Sequence, residues 1–282
     1  MATVVTIPPP QGDQEFVRKS IKYVLPNDAV DSFIQLIEPT LPVSPFTLPS
    51  GEVVTSQVNN SSYFDDEYLN QYKERVVKNE NAELYRVRWY GDSFEPVENL
   101  FIERKRHHNY KRTGKYSNKK RLDLPKEEMS RFLLGTPVEL LNPSKAKLAE
   151  EIQTVMMHNK PKIRTQYLRT SFMSQDIKDL RVTLDRDIKM FAEPQSWTEI
   201  ARLNGRARGE CDMMPFAIVE VKVALVQGGR PQCPEWLEVA LLSSGARNIK
   251  LSKYGYGCMK FFRNMHILHL NGPLRSKLGT SC

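Results

Sequence analysis

The sequence predicts an α+β fold, an antiparallel sheet of many strands with helices at its periphery. Three observations carry this reading. Short segments alternate apolar and polar residues with period two and are separated by clusters of Gly, Asn, Asp and Pro, the pattern of half-buried strands and their turns. Helical periodicity is confined to a few stretches, and these do not alternate regularly with strands as parallel βαβ units would. Finally, 40% of the 282 residues are apolar, enough to bury the core of one large domain.

Residues 1–14, with Pro8, Pro9 and Pro10 in a row, read as a flexible leader. One domain is expected over 15–270, followed by a tail at 271–282. Its first strand is Val17 to Val24. A helix from Asp28 to Ile37 opens beside Asn27, a residue type suited to capping. Three strands come next, Glu83 to Tyr90, Leu100 to Lys105 and Lys119 to Leu124. The helix Ser144 to Met157 carries Leu148, Ile152, Val155 and Met156 on one side. Strands Arg164 to Phe172, Leu180 to Ile188 and Phe216 to Val223 follow, then a helix Pro234 to Leu242 with proline in its first turn. There is no internal repeat.

Charge narrows the partners. Lys and Arg number 41 against 33 Asp and Glu, a net charge of +8, so an anion is expected: nucleic acid, an acidic membrane surface or a polyphosphate-like ligand. No apolar run approaches the ~18 residues of a membrane span, and the N-terminus lacks a signal-peptide core. A soluble, unsecreted, cytoplasmic chain is expected. Cys211, Cys233, Cys258 and Cys282 form no C-x-x-C pair, which suggests reduced thiols rather than a zinc knuckle or disulfide framework. Between Glu103 and Arg121 lie nine basic residues and one acidic, with Asn109, Gly114 and Asn118 as loop formers. That stretch reads as a solvated basic hairpin, or as a nuclear-localisation or nucleic-acid patch. His107, His108, His158, His266 and His269 fit no catalytic motif, and neither Trp197 nor the loop Gly205 to Gly209 has a functional reading.

Residues two apart in a strand share a face. Arg86 and Arg88 therefore lie together, opposite Tyr85, Val87 and Trp89. Glu220 and Lys222 oppose Val219, Val221 and Val223. Arg181 shares a side with Thr183 and Asp185, Arg169 with Tyr167 and Ser171, Lys119 with Arg121, and Lys22 with Ser20 and Arg18. A wet face of one strand explains any single case. The recurrence of one sign across six or seven strands indicates instead a face that holds an anion, either an open sheet for nucleic acid or a barrel with a polyanion in its lumen. Sheets that bind single strands place aromatic platforms on the basic face. Here Tyr85 and Trp89 point away, with Tyr90 and Tyr167 as exceptions, so phosphate is favoured over bases.

These residues resemble a known family, the VTC (vacuolar transporter chaperone) domain, the polyphosphate polymerase branch of the triphosphate tunnel metalloenzymes. The matching blocks, in order, are Ile21-Lys22-Tyr23, Tyr63-Phe64-Asp65, Leu84-Tyr85-Arg86-Val87-Arg88-Trp89-Tyr90-Gly91, Ile102-Glu103-Arg104-Lys105 and Ser117-Asn118-Lys119-Lys120-Arg121. Arg164-Thr165-Gln166-Tyr167-Leu168-Arg169-Thr170, Arg181-Val182-Thr183-Leu184-Asp185, Glu220-Val221-Lys222, Pro234-Glu235-Trp236 and Lys250-Leu251-Ser252-Lys253-Tyr254 continue the series.

The resemblance implies an antiparallel barrel enclosing a basic tunnel, in which ATP donates its γ-phosphate to a growing polyphosphate chain. It implies catalytic roles for Arg86, Arg88, Arg169, Arg181 and Glu220, and phosphate binding by Lys22, Lys105, Lys119, Lys222, Lys250 and Lys253. Glu220 corresponds to a metal carboxylate for Mn²⁺ or Mg²⁺, and Glu103 reads equally as a metal contact or a partner of a lumen cation. Many tunnel enzymes carry E-x-E-x-K in the first strand, where Arg18, Ser20 and Lys22 stand here, so neither a second metal site nor RNA-capping or thiamine triphosphatase chemistry is predicted. Alternatives are a tripolyphosphate or nucleoside triphosphate hydrolase, an accessory subunit that only binds polyphosphate, and, disfavoured, a nucleic-acid binder. The fungal polymerases resembled carry an SPX sensor and membrane helices; these 282 residues show neither pattern. Attachment to the cytosolic face of a vacuole or acidocalcisome is therefore expected through membrane-anchored VTC partner subunits.

Overall fold

The computed structural model describes residues 18–262 apart from 49, 96, 175, 178, 179, 210 and 225–232. The expected leader 1–14 and tail 271–282 lie outside the described residues, as do His266, His269, Cys282 and the side chain of Arg18. All seven expected strands form, together with one further long strand and several of two or three residues that the alternation did not reveal. The long strands are β1 Arg18–Pro26, β2 Ser56–Asp65, β3 Glu83–Tyr90, β4 Asn99–Arg106, β5 Asn118–Pro125, β6 Lys160–Met173, β7 Leu180–Ala192 and β8 Phe216–Ala224. β2 escapes a period-two reading because Asn59, Asn60, Ser61 and Ser62 are all buried. Local bonds offset part of that cost: Asn60 Nδ2 donates to the Gly91 carbonyl at 2.7 Å and Asn59 Nδ2 to that of Gln57 at 3.0 Å.

The ladder runs Arg247–Asn248, β1, β8, β7, β6, β2, β3, β4, β5, every pairing antiparallel. Among the described residues no ladder pairing joins its two ends. The outer edge of β1 is already occupied: Tyr23 and Val24 pair with Asn248 and Arg247, and the Ile249 amide donates to the Lys22 carbonyl at 3.0 Å. β5 is thus left as the other end. The sheet is nevertheless curled. In a flat sheet, six strand spacings of ~4.8 Å would part β1 from β4 by roughly 29 Å, yet Lys105 on β4 feels the charge of Lys22 on β1. Lys222 on β8 likewise feels Lys119 on β5, so the two halves face one another across a concave interior.

The two largest apolar clusters lie on the convex side. α1 (Val30–Ile37) and α4 (Glu235–Ser243) pack against β1, β7 and β8, burying Phe33, Ile37, Leu237 and Leu241 on Tyr23, Leu25, Val182, Leu184, Val219 and Val221. α3 (Ala146–Met156) covers β3, β4 and β5, with Leu148, Ile152 and Met156 on Val87, Trp89, Ile102 and Leu122. Each such fully buried aliphatic chain stabilises the fold by about 1.5–3 kcal/mol, so the outward halves of the strands anchor the sheet.

The three expected helices start later than predicted. Asp28 and Ser144 sit in separate 3₁₀ turns, Asn27–Ala29 and Pro143–Lys145. Asn27 caps neither turn nor helix, because Pro26 and Ala29 hold those positions. Pro234 is itself the cap of α4. Two further helices of eight or more residues, and three shorter ones, are additional. α2 (Asn70–Val77) has no capping residue at Leu69; the Asp65 carboxylate instead accepts from the Gln71 and Tyr72 amides at 3.0 and 2.9 Å. α5 (Lys253–Phe261) contains Gly255 and Gly257, which weaken helix propensity. Gly257 is needed for contact, since a Cβ there would stand 2.7 Å from Ile163 Cγ2.

Trp197 and the Gly205 loop find a structural explanation. Trp197 stacks on Phe94 with centroids 5.8 Å apart. Gly205, at φ +68, lets the chain pass where a Cβ would lie 2.4 Å from the Phe94 ring, and its carbonyl accepts from buried Arg164 Nη1 at 2.8 Å. No helix among the described residues is long and apolar enough to cross a membrane.

Candidate functional site

The inward halves of the strands converge on a cationic interior organised by three carboxylates. The first is Glu103 on β4, fully buried. Register sets Arg86 on β3 and Arg121 on β5 directly opposite it. Arg86 Nε donates to Glu103 Oε2 at 2.7 Å and a second, very short bond comes from Arg86 Nη2. Lys119 Nζ and Arg121 Nη2 reach Oε1 at 2.8 and 2.7 Å, while Arg88 Nη1 stands 3.8 Å from Oε2. Burial opposes ionisation of Glu103, but Arg86, Arg88, Lys119 and Arg121 outweigh it and hold the carboxyl well below its ordinary range. Of the two readings of Glu103, the geometry therefore realises the ion partner.

Asp185 on β7 is the second. It receives a two-pronged bond from Arg169 on β6, Nε to Oδ1 at 2.6 Å and Nη2 to Oδ2 at 2.8 Å, and a third from Lys253 at the start of α5, at 2.5 Å. Again burial is overcome by the cations, and the carboxyl is pulled below its usual range. Tyr167 lies beneath both: Arg169 Cζ is 5.3 Å and Lys253 Nζ 4.5 Å from its ring centroid. Two-pronged pairing fixes the guanidinium plane, so Arg169 is oriented before any ligand arrives.

Glu220 on β8 is the third and differs in kind. It pairs across the ladder with Lys22 on β1 and Thr183 on β7, but its ion contact with Lys222 Nζ is a loose one, at 4.0 Å. Despite burial, Lys222, Lys22, Arg169 and Lys105 keep it ionised. The cations in turn are disfavoured by one another. Arg86, with burial and Lys22, holds Lys105 well below the lysine range. Burial, aided by Lys253, lowers Lys22, whose Nζ donates to the Leu251 carbonyl at 3.2 Å. Glu220 alone would raise Lys222; burial together with Arg169, Arg181 and Lys119 brings it down to about 8.

Lys22, Arg86, Arg88, Lys105, Lys119, Arg169, Arg181, Glu220, Lys222 and Lys253 are thus gathered into one interior. Lys250 is not. It is exposed before α5, and among the described residues no hydrogen bond or ion pair ties it to the others. Sequence reasoning left out several members. Arg121 and Asp185 were visible on the right faces. Tyr167 was visible beside Arg169 and Tyr63 only as a member of a family block; Tyr63 OH accepts from Arg86 Nη1 at 3.1 Å and Tyr167 OH from Arg88 Nη2 at 3.2 Å.

An interior with more cations than carboxylates is suited to a multivalent anion. The folded-state value of Lys222 lies below that of the unfolded chain, so the empty fold gains stability as pH rises from about 8 toward 10.5, where only the unfolded chain still holds that proton. An anion beside Lys222 reverses the preference. Tripolyphosphate binding measured by calorimetry at pH 8.5 in buffers of different ionisation heat is expected to show net proton uptake, reduced in Lys222→Met. Equal uptake in the two proteins would remove Lys222 from the ligand's surroundings.

A family model described as the VTC domain matches residues 17–262. Vacuolar transporter chaperone complex subunit 4 of Trypanosoma cruzi is 30% identical over 292 residues, covering 89% of this chain and 35% of that protein. Subunit 4 of the same complex in Schizosaccharomyces pombe is 30% identical over 280 residues, covering 88% and 38%. The chain thus spans little more than a third of the length of these relatives. Among solved structures, a putative adenylate cyclase of Bacillus halodurans aligns with a TM-score of 0.47 and 12% identity, over 89% of this chain and 100% of that one.

Proposed function

This chain belongs to the VTC domain family, and from that premise we propose that it is a phosphotransferase that passes the γ-phosphate of ATP to the end of a growing inorganic polyphosphate chain. The observation that carries the proposal is the preorganisation of Arg86, Arg88 and Arg169 on Glu103, Tyr167 and Asp185 inside a curled sheet. Phosphoryl transfer asks little covalent chemistry of a protein; it asks for alignment and cancellation of charge. A terminal phosphate with its last pKa near ~6 is already largely ionised at neutral pH, so no general base is needed. Repulsion between donor and acceptor is the obstacle, and fixed guanidinium forks meet it without reorganising during the reaction. Lysines 22, 105, 119 and 222 are mobile point charges suited to a chain that slides.

The family implies a divalent cation, and Glu220 suits it in one way only. Among the described residues no group of three or more His, Cys, Asp or Glu side chains gathers as a metal site, and Glu103 and Asp185 are engaged by arginine and lysine. Glu220, ionised and held only loosely by Lys222, fits Mn²⁺ or Mg²⁺ whose remaining ligands are phosphate oxygens and water. When bound, the ion would neutralise phosphate charge. Glu220→Gln is expected to lower metal-dependent turnover by about 10²–10³-fold while ATP binding measured without metal is retained or strengthened, since a negative charge among the cations is gone. Full Mn²⁺-dependent activity in that variant would remove Glu220 from the metal.

The relatives are named as subunits of a vacuolar complex. We accordingly place this domain on the cytosolic side of a vacuole or acidocalcisome, where ATP is, attached through membrane-anchored partner subunits. The nearest rival reaction is hydrolysis of tripolyphosphate or nucleoside triphosphate, with water in the acceptor's position. Incubation with ATP and Mn²⁺, with products resolved on a polyphosphate-stained gel beside assays of ADP and free phosphate, separates the two. A polymer ladder with ADP supports transfer. Free phosphate without a ladder establishes the hydrolase, and neither product leaves a polyphosphate-binding subunit.

A further inference from the structure

The hairpin joining β4 to β5, residues 107–117, contains a feature that phosphate binding does not use. Tyr110 and Tyr116 stack on each other with centroids 4.2 Å apart and planes at 20°, while remaining 51% and 43% exposed. A solvated loop has no need of paired rings, and a phosphate polymer has no ring to offer them. The tip is also built rather than merely long. Glu80 accepts from His108 Nδ1 at 2.6 Å and from the Asn109 amide at 2.8 Å, and Ser117 Oγ accepts from the His108 amide at 3.0 Å. Gly114, at φ +67, closes the turn Tyr110–Thr113. Beneath the rings the two strands lead straight into the cationic interior through Lys105 and Lys119. Lys119, with its side chain 45% exposed, marks the rim, and the Tyr116 Cα lies within about 11 Å of the Lys119 Cα, the reach of three residues.

We propose that Tyr110 and Tyr116 form a nucleobase platform, on whose outer ring face the base of a nucleotide stacks while its phosphates enter the interior at Lys119. This rests on the phosphate-binding reading of that interior. Base stacking on an aromatic ring is indifferent to base identity, so the platform distinguishes a nucleotide from inorganic polyphosphate rather than ATP from GTP. Arg112 and Lys115, both exposed on the same hairpin, add attraction for the ribose-linked phosphates. Single-stranded nucleic acid fits less well, because such binders repeat their aromatic platforms along a groove and this hairpin presents one pair.

The test is calorimetry on the full chain with ATP and with tripolyphosphate as separate probes. Y110A/Y116A is expected to weaken ATP binding about 5- to 100-fold, the range for loss of one stacked base, while tripolyphosphate binding is unchanged. Y110F/Y116F, which keeps both rings, is expected to bind ATP as the unaltered chain does. Unchanged ATP affinity in the alanine variant overturns the platform, as does an equal loss for both probes, which would assign the hairpin a general effect on the rim. ATP affinity lost in the phenylalanine variant overturns stacking in favour of the hydroxyls. A single-stranded RNA 12-mer that loses affinity in Y110A/Y116A while ATP does not would make the hairpin a nucleic-acid surface instead. Failure of the unaltered chain to bind tripolyphosphate sinks the phosphate reading itself, separately from the platform.

Discussion

Arg88→Ala is expected to lower ATP turnover by about 10³-fold or more, the range for removal of a guanidinium that stabilises transferring phosphate, with little change in melting temperature. The separation follows from which groups hold Arg88. Its bonds go to Ser61 Oγ and the Tyr167 hydroxyl, both at 3.2 Å, and it stands 3.8 Å from Glu103. Without it Glu103 retains Arg86, Lys119 and Arg121, so no buried charge is orphaned. Arg86→Ala differs, because it removes the side chain that bonds Glu103 Oε2 twice, and both activity and stability should fall. ADP release beside a thermal melt for the two variants checks the contrast. Turnover by Arg88→Ala within tenfold of the unaltered chain would exclude Arg88 from the reacting phosphates.

Glu103→Gln is expected to be the most destabilising substitution in the interior, by about 3–5 kcal/mol, the cost of breaking one side of a buried ion cluster. Arg86, Arg88, Lys119 and Arg121 would be left facing one another with a neutral amide between them. Because the loss is one of negative charge, a ligand can restore it: saturating tripolyphosphate should raise the melting temperature of Glu103→Gln more than that of the unaltered chain. Equal ligand-induced shifts in the two proteins would mean that Glu103 and the anion do not share the same cations. The pH dependence has a definite sign. The folded-state value of Glu103 lies below its unfolded value, so its contribution is present at neutral pH and is lost as pH falls through the carboxylate range and below.

The strands were legible because one face of each had to be apolar to hold helices and the other had to be charged to hold a ligand, which gives the plainest alternation a sequence can carry. β3 shows it best, with Tyr85, Val87 and Trp89 outward and Arg86 and Arg88 inward. β2 was not legible because its buried positions are asparagine and serine, chosen for hydrogen bonds to Gly91 and Arg88 rather than for hydropathy. α5 was hidden by Gly255 and Gly257, the second of which is needed for contact with Ile163. Site residues followed the same division. Arginines on strands could be assigned a face, whereas Lys253, at a helix start, and Lys250, in an irregular segment, could be tied to the site only by family spacing; the fold brings in the first and leaves the second in solvent. Asp185 was seen beside Arg181 in alternation, but its true partner, Arg169, comes from the neighbouring strand through register.

The interior set out above holds more cations than the carboxylates Glu103, Asp185 and Glu220 can neutralise, and that has a consequence for the molecule at rest. Such a cavity is a small ion exchanger. Chloride, phosphate and other mobile anions from solution must linger in it, screening Lys22, Lys105 and Lys222 from one another. Arrival of a polyanion is then a swap, one long ion entering as many short ones leave, and part of its driving force is the mixing entropy of the departing ions. The surrounding salt thereby sets how readily the cavity exchanges its small ions for a long one.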